Sequence, residues 1–438
     1  MTNSSSKGSL LNRMFKLDQL GTNVRTEFVA GLTTFITMAY IIIVHPTLMK
    51  AAGMPAGPVT VMTILSAAIF SILMGVYANR PFAVAPAMGG NAFFAYTIVQ
   101  SGAATWQTGL GMVLIAGVIF LLLTTLGIRE TIARVLPKSV KNAMAAAVGI
   151  YIIGLGLSNA GIIIPTKTAI GLASLHNPTV LLAMIGLAIT LALMSLRVRG
   201  AVFFGILLTT IIGIPMGITT LPMAVVSLPP NPSPILFQVD WLGALKWSFF
   251  PLIFTFFTGE FFSTMGTVLG VGGKAKLLDQ NGNLPDIQKP FLVDSIAMVG
   301  GSAMGMTTVT AYVESASGVE VGGRSGLTAV STGLVFLVAL FLTPVFLSIP
   351  AAATAPALIA IGLSMLQAIK NIDLDNLDEL LSGFITILMT AFTFSIANGI
   401  VFGILSFVVI KLLSGKIKEI PIGLYFLCVP LVYYLWLK

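Results

Sequence analysis

Two glutamates stand where a chain this apolar should carry no charge. Glu260 lies in FTFFTGEFFSTMGTVLG, between two pairs of Phe, and Glu314 lies in AYVESASG. An acid at the centre of a bilayer costs about 2.5–3.5 kcal/mol on insertion scales, so it persists only with a partner or a task. A buried carboxyl can exchange a proton or accept from a ring N–H. The bland alternative is a structural hydrogen bond, for instance from a Thr hydroxyl or from backbone freed by a broken helix. Groups suited to a flat polar ligand stand near both acids. Asn91 follows Gly89 and Gly90, and the rings of Phe93, Phe94 and Tyr96 come next and can stack on a heterocycle. Ser263 is about one helical turn after Glu260 and shares its face. Thr310 precedes Glu314 in the same short segment.

Other titratable groups carry less. Glu27 and Asp294 fall at span ends, and Asp240, Asp279, Asp286, Asp373, Asp375, Asp378 and Glu379 read as solvated loop charges. His45, before Pro46, reads as a hydrogen bonder near a helix end. The stretch GTVLGVGGKA resembles a phosphate loop, but Ala275 stands where Ser or Thr would hold Mg²⁺. That argues against an ATP-driven pump. HExxH and GxSxG motifs are missing, and with two His and one Cys a metal site is not expected. The lone Cys428 allows no internal disulfide. An enzyme is therefore not expected, nor any cofactor.

The elements that must position these residues are membrane helices. Of the 438 residues 56% are hydrophobic and 9% charged, with mean hydropathy +1.00; a soluble domain carries about 25% charged residues. At roughly 20 residues per span the length accommodates about fourteen. The expected spans are residues 27–49, 58–77, 82–100, 109–126, 140–163, 177–196 and 201–219, then 245–269, 290–304, 305–319, 326–348, 351–369, 378–395 and 399–413. Residues 420–437 read as either a further span or an interfacial segment.

The net charge of +8 is the signature of basic cytoplasmic loops rather than of nucleic-acid binding. Loops after even-numbered spans hold Arg80; Arg129, Arg134, Lys138 and Lys141; Arg197 and Arg199; Lys274, Lys276 and Lys289; Arg324; Lys370; and Lys416 and Lys418. Odd-numbered loops hold almost none, Lys50 and Lys167 being the exceptions. By the positive-inside rule the N-terminus is cytoplasmic. The polar, basic residues before Phe28 do not form a cleavable signal.

The third and tenth segments, PFAVAPAMGGNAFFAYTIVQ and GMTTVTAYVESASGVEVGG, are not plain spanning helices. Pro, Gly or β-branched residues lead each one and a helix-forming tail follows. Broken helices at membrane depth build the binding sites of many secondary transporters; the plainer alternative is that the glycines allow close helix packing. GAVFFGIL at Gly200 reappears as GIVFGIL at Gly399, each opening the seventh span of its half. Two halves of seven spans must be inverted relative to each other. A secondary transporter fits these features better than a channel or a membrane-embedded enzyme.

GTNVRTEFVAGLTTFITMAYIIIVHP, APAMGGNAFFAY, FFSTMGTVLG and TTVTAYVESASGVEVGGRSGLTA closely resemble the purine permeases related to the fungal azaguanine-uptake transporter. These sit within the nucleobase–cation symporter and nucleobase–ascorbate transporter superfamily, and the resemblance spans essentially the whole chain. It implies an all-α polytopic protein of about fourteen segments in two inverted repeats, with broken third and tenth segments. It also implies a substrate-carrying core (27–126 and 245–348) and a gate (127–219 and 349–438), besides a cytoplasmic tail (1–26) and an extracellular loop (220–244).

The activity implied is proton-coupled purine uptake by alternating access, in the inner (plasma) membrane. The family's binding asparagine matches Asn91, its first eighth-span acid Glu260, and its tenth-segment glutamate Glu314. Departures bear on substrate choice. Where many members read VDLFDTIGTL this chain reads GEFFSTMGTV, so Glu260 replaces one Asp and Ser263 the other. His45 replaces a usual Asn, and Ala87 and Gly90 replace Gly and Leu. A hydroxyl can donate or accept, so Ser263 tolerates the N1 acceptor and 6-amino donor of adenine better than an ionised Asp would. GEFFST-type eighth spans resemble the bacterial adenine-preferring branch.

The expected site is Glu314, Asn91, Ser263, Phe93, Phe94 and Thr310 on the purine, with Glu260 carrying the proton. Hypoxanthine or guanine is the alternative substrate; an anion transporter of the same architecture is the remoter one. Expected partners are the nucleobase, a proton in preference to sodium, and membrane lipid, with no nucleic acid; a homodimer stays open.

Overall fold

Eighteen residues of α-helix rise about 27 Å, close to the hydrocarbon thickness of a bilayer. Among the described residues nine helical stretches reach that length with matching hydropathy, the first segment being counted across its break, and Ala201–Gly213 and Ile422–Trp436 are shorter apolar helices. The structure, a computed structural model, describes residues 10–127, 137–165, 170–174, 176–222, 224–280, 283–373, 375–393 and 395–436. Arg129, Arg134 and Lys167, named above as loop charges, lie outside them. Polar caps start several helices where the sequence supplies them. Asn23 accepts from the Thr26 N–H, Thr105 from Thr108, Asn177 from Thr179 and Ser395 from Asn398.

The first segment is two helices, Val24–Met38 and Ile41–Ala51, joined through Ala39 and Tyr40. The third is a strand, Val84–Pro86, followed by helix Met88–Ala92 and a wider π-type turn, Phe93–Gln100. The tenth is a strand, Val309–Ala311, followed by the short helix Ser315–Glu320. Pro81 and Pro86 deny helical hydrogen bonds in the first case. The β-branched run from Thr307 to Thr310 favours extended backbone in the second.

The two strands pair antiparallel, Val84 opposite Ala311, Ala85 opposite Thr310 and Pro86 opposite Val309. Ala87 N–H to Thr308 O and Tyr312 N–H to Ala83 O, both 2.8 Å, extend the ladder. The Ser71 hydroxyl meets both the N–H and the carbonyl of Val84, and Ser315 accepts from the Ala83 N–H. Backbone that would be costly to leave bare at this depth is thereby satisfied.

Small residues bring helices together elsewhere. Gly149 in Lys138–Asn159 faces Gly362 in Ala351–Leu366, and a Cβ on either would lie 2.5–2.7 Å from the other's carbonyl oxygen. The repeated sequence makes matching contacts. Gly205 packs on Thr190 of the preceding helix Pro178–Ser195, and Gly403 packs on Thr386 of the preceding helix Leu377–Thr393. Each Thr hydroxyl is turned onto the carbonyl four residues back, at 2.8 Å.

Several sequence expectations change. The phosphate-loop-like stretch is the end of a continuous helix, Phe250–Lys274. Asp378 is no solvated loop charge: it is buried and accepts from Lys411 at 2.9 Å and Lys416 at 2.6 Å. Asp240 is exposed, as expected of a loop charge, and also caps a short helix and accepts from the Thr108 hydroxyl. The Gly243 N–H, and then Thr108, hold its carboxyl below the usual carboxylate range. Glu27 accepts from the N–H groups of Arg324, Ser325 and Thr328 ahead of and within helix Gly326–Ala339. Ile422–Trp436 rises only about 22 Å, and Tyr434 hydrogen-bonds Asn398 of helix Ile396–Leu413.

Candidate functional site

A cavity of about 270 Å³ adjoins the strand crossing. It sits near the small end of ligand pockets, roughly 300–1,000 Å³, and suits a single heterocycle. Glu260 and Ser263 reach it from helix Phe250–Lys274, Thr310 and Glu314 from the tenth segment, and Phe93 from the third. Five of the seven expected site residues thus share one chamber. The other two do not line it. Phe94 is fully buried, and its ring packs where a Cβ on Gly109 would fall. Asn91 is also fully buried; its Oδ1 accepts from the Thr307 hydroxyl, tying the two broken segments together.

Carboxyl environments differ. Glu314 is half-buried and its Oε1 accepts from the Tyr40 hydroxyl at 2.6 Å. Glu260 is 5% exposed, and its Oε2 has no hydrogen-bond partner among the described residues. Asn91 Nδ2 and Thr308 Oγ1 are likewise unpartnered. A buried polar atom left so costs about 1–3 kcal/mol; Glu260 and Thr308 lie close enough to offset part of that cost in each other, and of the three residues only Glu260 lines the chamber. Phe93 and Phe256 meet edge to face at 5.0 Å on its wall.

Three residues that the sequence undervalued or passed over belong to this site. Asp294, expected at a span end, is buried and accepts from Thr264, from Thr310 at 2.9 Å and from the Ala311 N–H at 2.6 Å. It holds the second strand against helix Phe250–Lys274. Lys141, read above as a loop charge, lines the cavity, its ammonium 5.4 Å from the Phe262 ring centre. Tyr40, one apolar-run residue among many in the sequence, lines the cavity as well. His45 stays clear of the chamber; it is buried in the middle of its helix, with Nδ1 2.7 Å from Thr63.

The cavity lies along the first half of helix Lys138–Asn159, from Lys141 to Val148. The second half is bonded to the third segment: Asn159 donates to Tyr96 at 2.9 Å, and Tyr151 and Thr97 hydroxyls meet at 3.1 Å.

Among the glycines that line the chamber, Gly90 is the most tightly packed. A Cβ there would fall on Thr308 Oγ1 and within 3.0 Å of Glu260 Oε1. Overpacking costs about 1–3 kcal/mol, so Gly90→Ala is expected to lower both melting temperature and substrate affinity. Gly259 lines the same chamber with open space where its Cβ would go, so Gly259→Ala is expected to leave the melting temperature unchanged. Thermal melts of both purified variants check the pair; equal effects would remove the assignment of Gly90.

Membrane-crossing helices around a chamber where two broken segments meet strand to strand define a membrane permease rather than an enzyme. The chain matches the model of the Permease family (Xan_ur_permease) over residues 25–402 and belongs to that family. It is 40% identical to the adenine permease AdeQ of Escherichia coli strain K12, over 98% of this chain and 95% of that one. It is 36% identical to the guanine/hypoxanthine permease PbuG of Bacillus subtilis strain 168, over 98% of this chain and all of that one. Among solved structures, the transmembrane domain of the cyanobacterial bicarbonate transporter BicA matches with TM-score 0.63 at 15% identity, covering 87% of this chain and 97% of that one. At that identity the likeness is one of fold.

Proposed function

We propose that this chain takes up purine nucleobases, adenine in preference, by proton-coupled alternating access. The observation that carries the proposal is the meeting of Glu260, Glu314 and Ser263 on one small chamber beside the strand crossing. Full-length relatives named for purine bases support the substrate class. In this reading Glu314 accepts from a ring N–H and Ser263 serves the edge that differs between adenine and its oxo relatives. Phe93 supplies an apolar wall. Asn91 acts from behind, through Thr307 and the crossing. Glu260 carries the proton. A bicarbonate transporter shares the fold, but a chamber with two carboxyl groups against the single ammonium of Lys141 is poorly matched to an anion.

The proposal extends to architecture. Fourteen segments in two inverted halves accord with the paired strands and with the matching contacts of Gly205 and Gly403. Core and gate then meet across the cavity. With the N-terminus of helix Lys138–Asn159 at the cytoplasmic side, the chamber lies along the inner half and the Tyr96–Asn159 and Tyr151–Thr97 bonds close the outer half. That is an inward-facing carrier in the plasma membrane. The second reading, a hypoxanthine/guanine permease, is favoured by the likeness to PbuG. Competition against labelled adenine by unlabelled purines, pyrimidines and xanthine decides between them. Adenine is expected to compete best; stronger competition by hypoxanthine transfers the assignment to the second reading.

A further inference from the structure

Glu314 is a two-faced ligand, because a carboxyl group offers two oxygens and can hold a proton on either one. What decides which oxygen meets a guest is the residue that engages the other. Tyr40 does this: its phenol donates to Glu314 Oε1 at 2.6 Å, from a side chain only 3% exposed. It stands at the junction of helices Val24–Met38 and Ile41–Ala51, where its own carbonyl accepts from the N–H groups of Ile43 and Val44. The phenol is therefore anchored by backbone on one side and packing on the other. One turn earlier the same segment braces the tenth segment again, Thr37 and Ser317 hydroxyls lying 2.8 Å apart.

We propose that Tyr40 is a positioning residue that reserves Glu314 Oε2 for the nucleobase and so sets which base is preferred. The inference rests on the reading of Glu314 as base ligand. A phenol has one proton, and here it is given to Oε1. When Glu314 is ionised, Oε2 is the oxygen that the phenol leaves to a ring N–H, the carboxylate's other partner being the residue's own backbone N–H. When Glu314 is protonated, Oε1 goes on accepting from Tyr40, so the acid proton sits on Oε2 and points at a ring nitrogen acceptor. Each protonation state then presents one defined group to the base. Without the phenol the proton occupies either oxygen and the carboxyl rotates, so both faces of the code blur together.

The test is Tyr40→Phe, which removes one oxygen atom and leaves the ring. Uptake of labelled adenine and hypoxanthine is measured for wild type, Tyr40→Phe, Thr37→Ala and Glu314→Gln, each normalised to the amount of folded protein. Tyr40→Phe is expected to raise KM for adenine about tenfold with Vmax within about twofold, and to bring the adenine-to-hypoxanthine KM ratio toward one. Thr37→Ala, which removes the Ser317 brace and a 3.5 Å contact to the Glu314 backbone carbonyl but leaves the phenol–carboxyl bond in place, is expected to keep the wild-type ratio. A Tyr40→Phe carrier with wild-type KM and ratio, beside an inactive Glu314→Gln, overturns the role of Tyr40 and leaves Glu314 as ligand. A ratio that changes equally in Thr37→Ala reduces Tyr40 to a structural brace. A Glu314→Gln carrier with wild-type KM overturns the site reading itself.

Discussion

Glu314→Gln is expected to weaken nucleobase binding about 100-fold while the protein still folds. The amide keeps the size of the carboxyl and leaves the Tyr40 phenol an oxygen to bond. With that oxygen engaged, the NH₂ group faces the guest, so a donor meets the ring N–H that the carboxylate would have accepted. Loss of a hydrogen bond to a charged group costs about 1.5–3 kcal/mol, and each 1.4 kcal/mol is about tenfold. Binding of labelled adenine to purified carrier, with a melting curve alongside, gives the answer. Wild-type affinity in this variant would sink the assignment of Glu314.

Glu260→Gln is expected to separate binding from coupling. The acid is buried, and its Oε2 has no hydrogen-bond partner among the described residues. An isolated charge in such surroundings is expensive, so in the proposed cycle the carboxyl crosses in its neutral form. Gln imitates that neutral form permanently. In proteoliposomes the variant should still exchange internal for external adenine but should not concentrate it when an inside-alkaline gradient is imposed. For one proton per base, wild type gains about tenfold accumulation per pH unit, because that unit is worth about 1.4 kcal/mol; the variant should stay near one. Gradient-driven accumulation by Glu260→Gln would place the coupled proton elsewhere, and Asp294, joined to Thr310 on the same chamber wall, would be the next residue to examine.

What the sequence makes legible here is whatever chemistry confines to one stretch of chain. The breaks in the third and tenth segments follow from Pro81, Pro86 and the Thr-rich run after Met306, because those residues forbid or disfavour helix locally. Glu260 and Glu314 stand out against apolar neighbours, and helical spacing alone puts Ser263 beside Glu260. Partnerships between distant segments leave no such trace. Tyr40 stands in an ordinary apolar run, and its bond to Glu314 crosses 274 positions. Asp294 looks peripheral because the expected span begins only four residues before it, yet it lies close to the middle of helix Gln288–Ala303 and Thr264 and Ala311 fold onto it. Lys141 and Asp378 fit the expectation for loop charges until helix packing turns one toward the chamber and brings Lys411 and Lys416 to the other. Phe94 and Phe93 are neighbours in sequence, and only the winding of Phe93–Gln100 decides which ring reaches the cavity.

The crossing of the third and tenth segments is made by main-chain groups: its register is written in N–H and C=O bonds from Ala83 to Ala87 against Thr308 to Tyr312. Apart from the positions whose side chains brace it, such as Thr310 and Ser315, most residues that tolerate extended backbone and carry an N–H can satisfy that ladder. Selection can therefore alter Ser263, Ala87 or other side chains on the chamber wall without dismantling the frame that displays them. A scaffold of this kind separates the mutations that change diet from those that break the machine. A lineage built on it can move from one purine to another by single steps, each leaving a folded carrier.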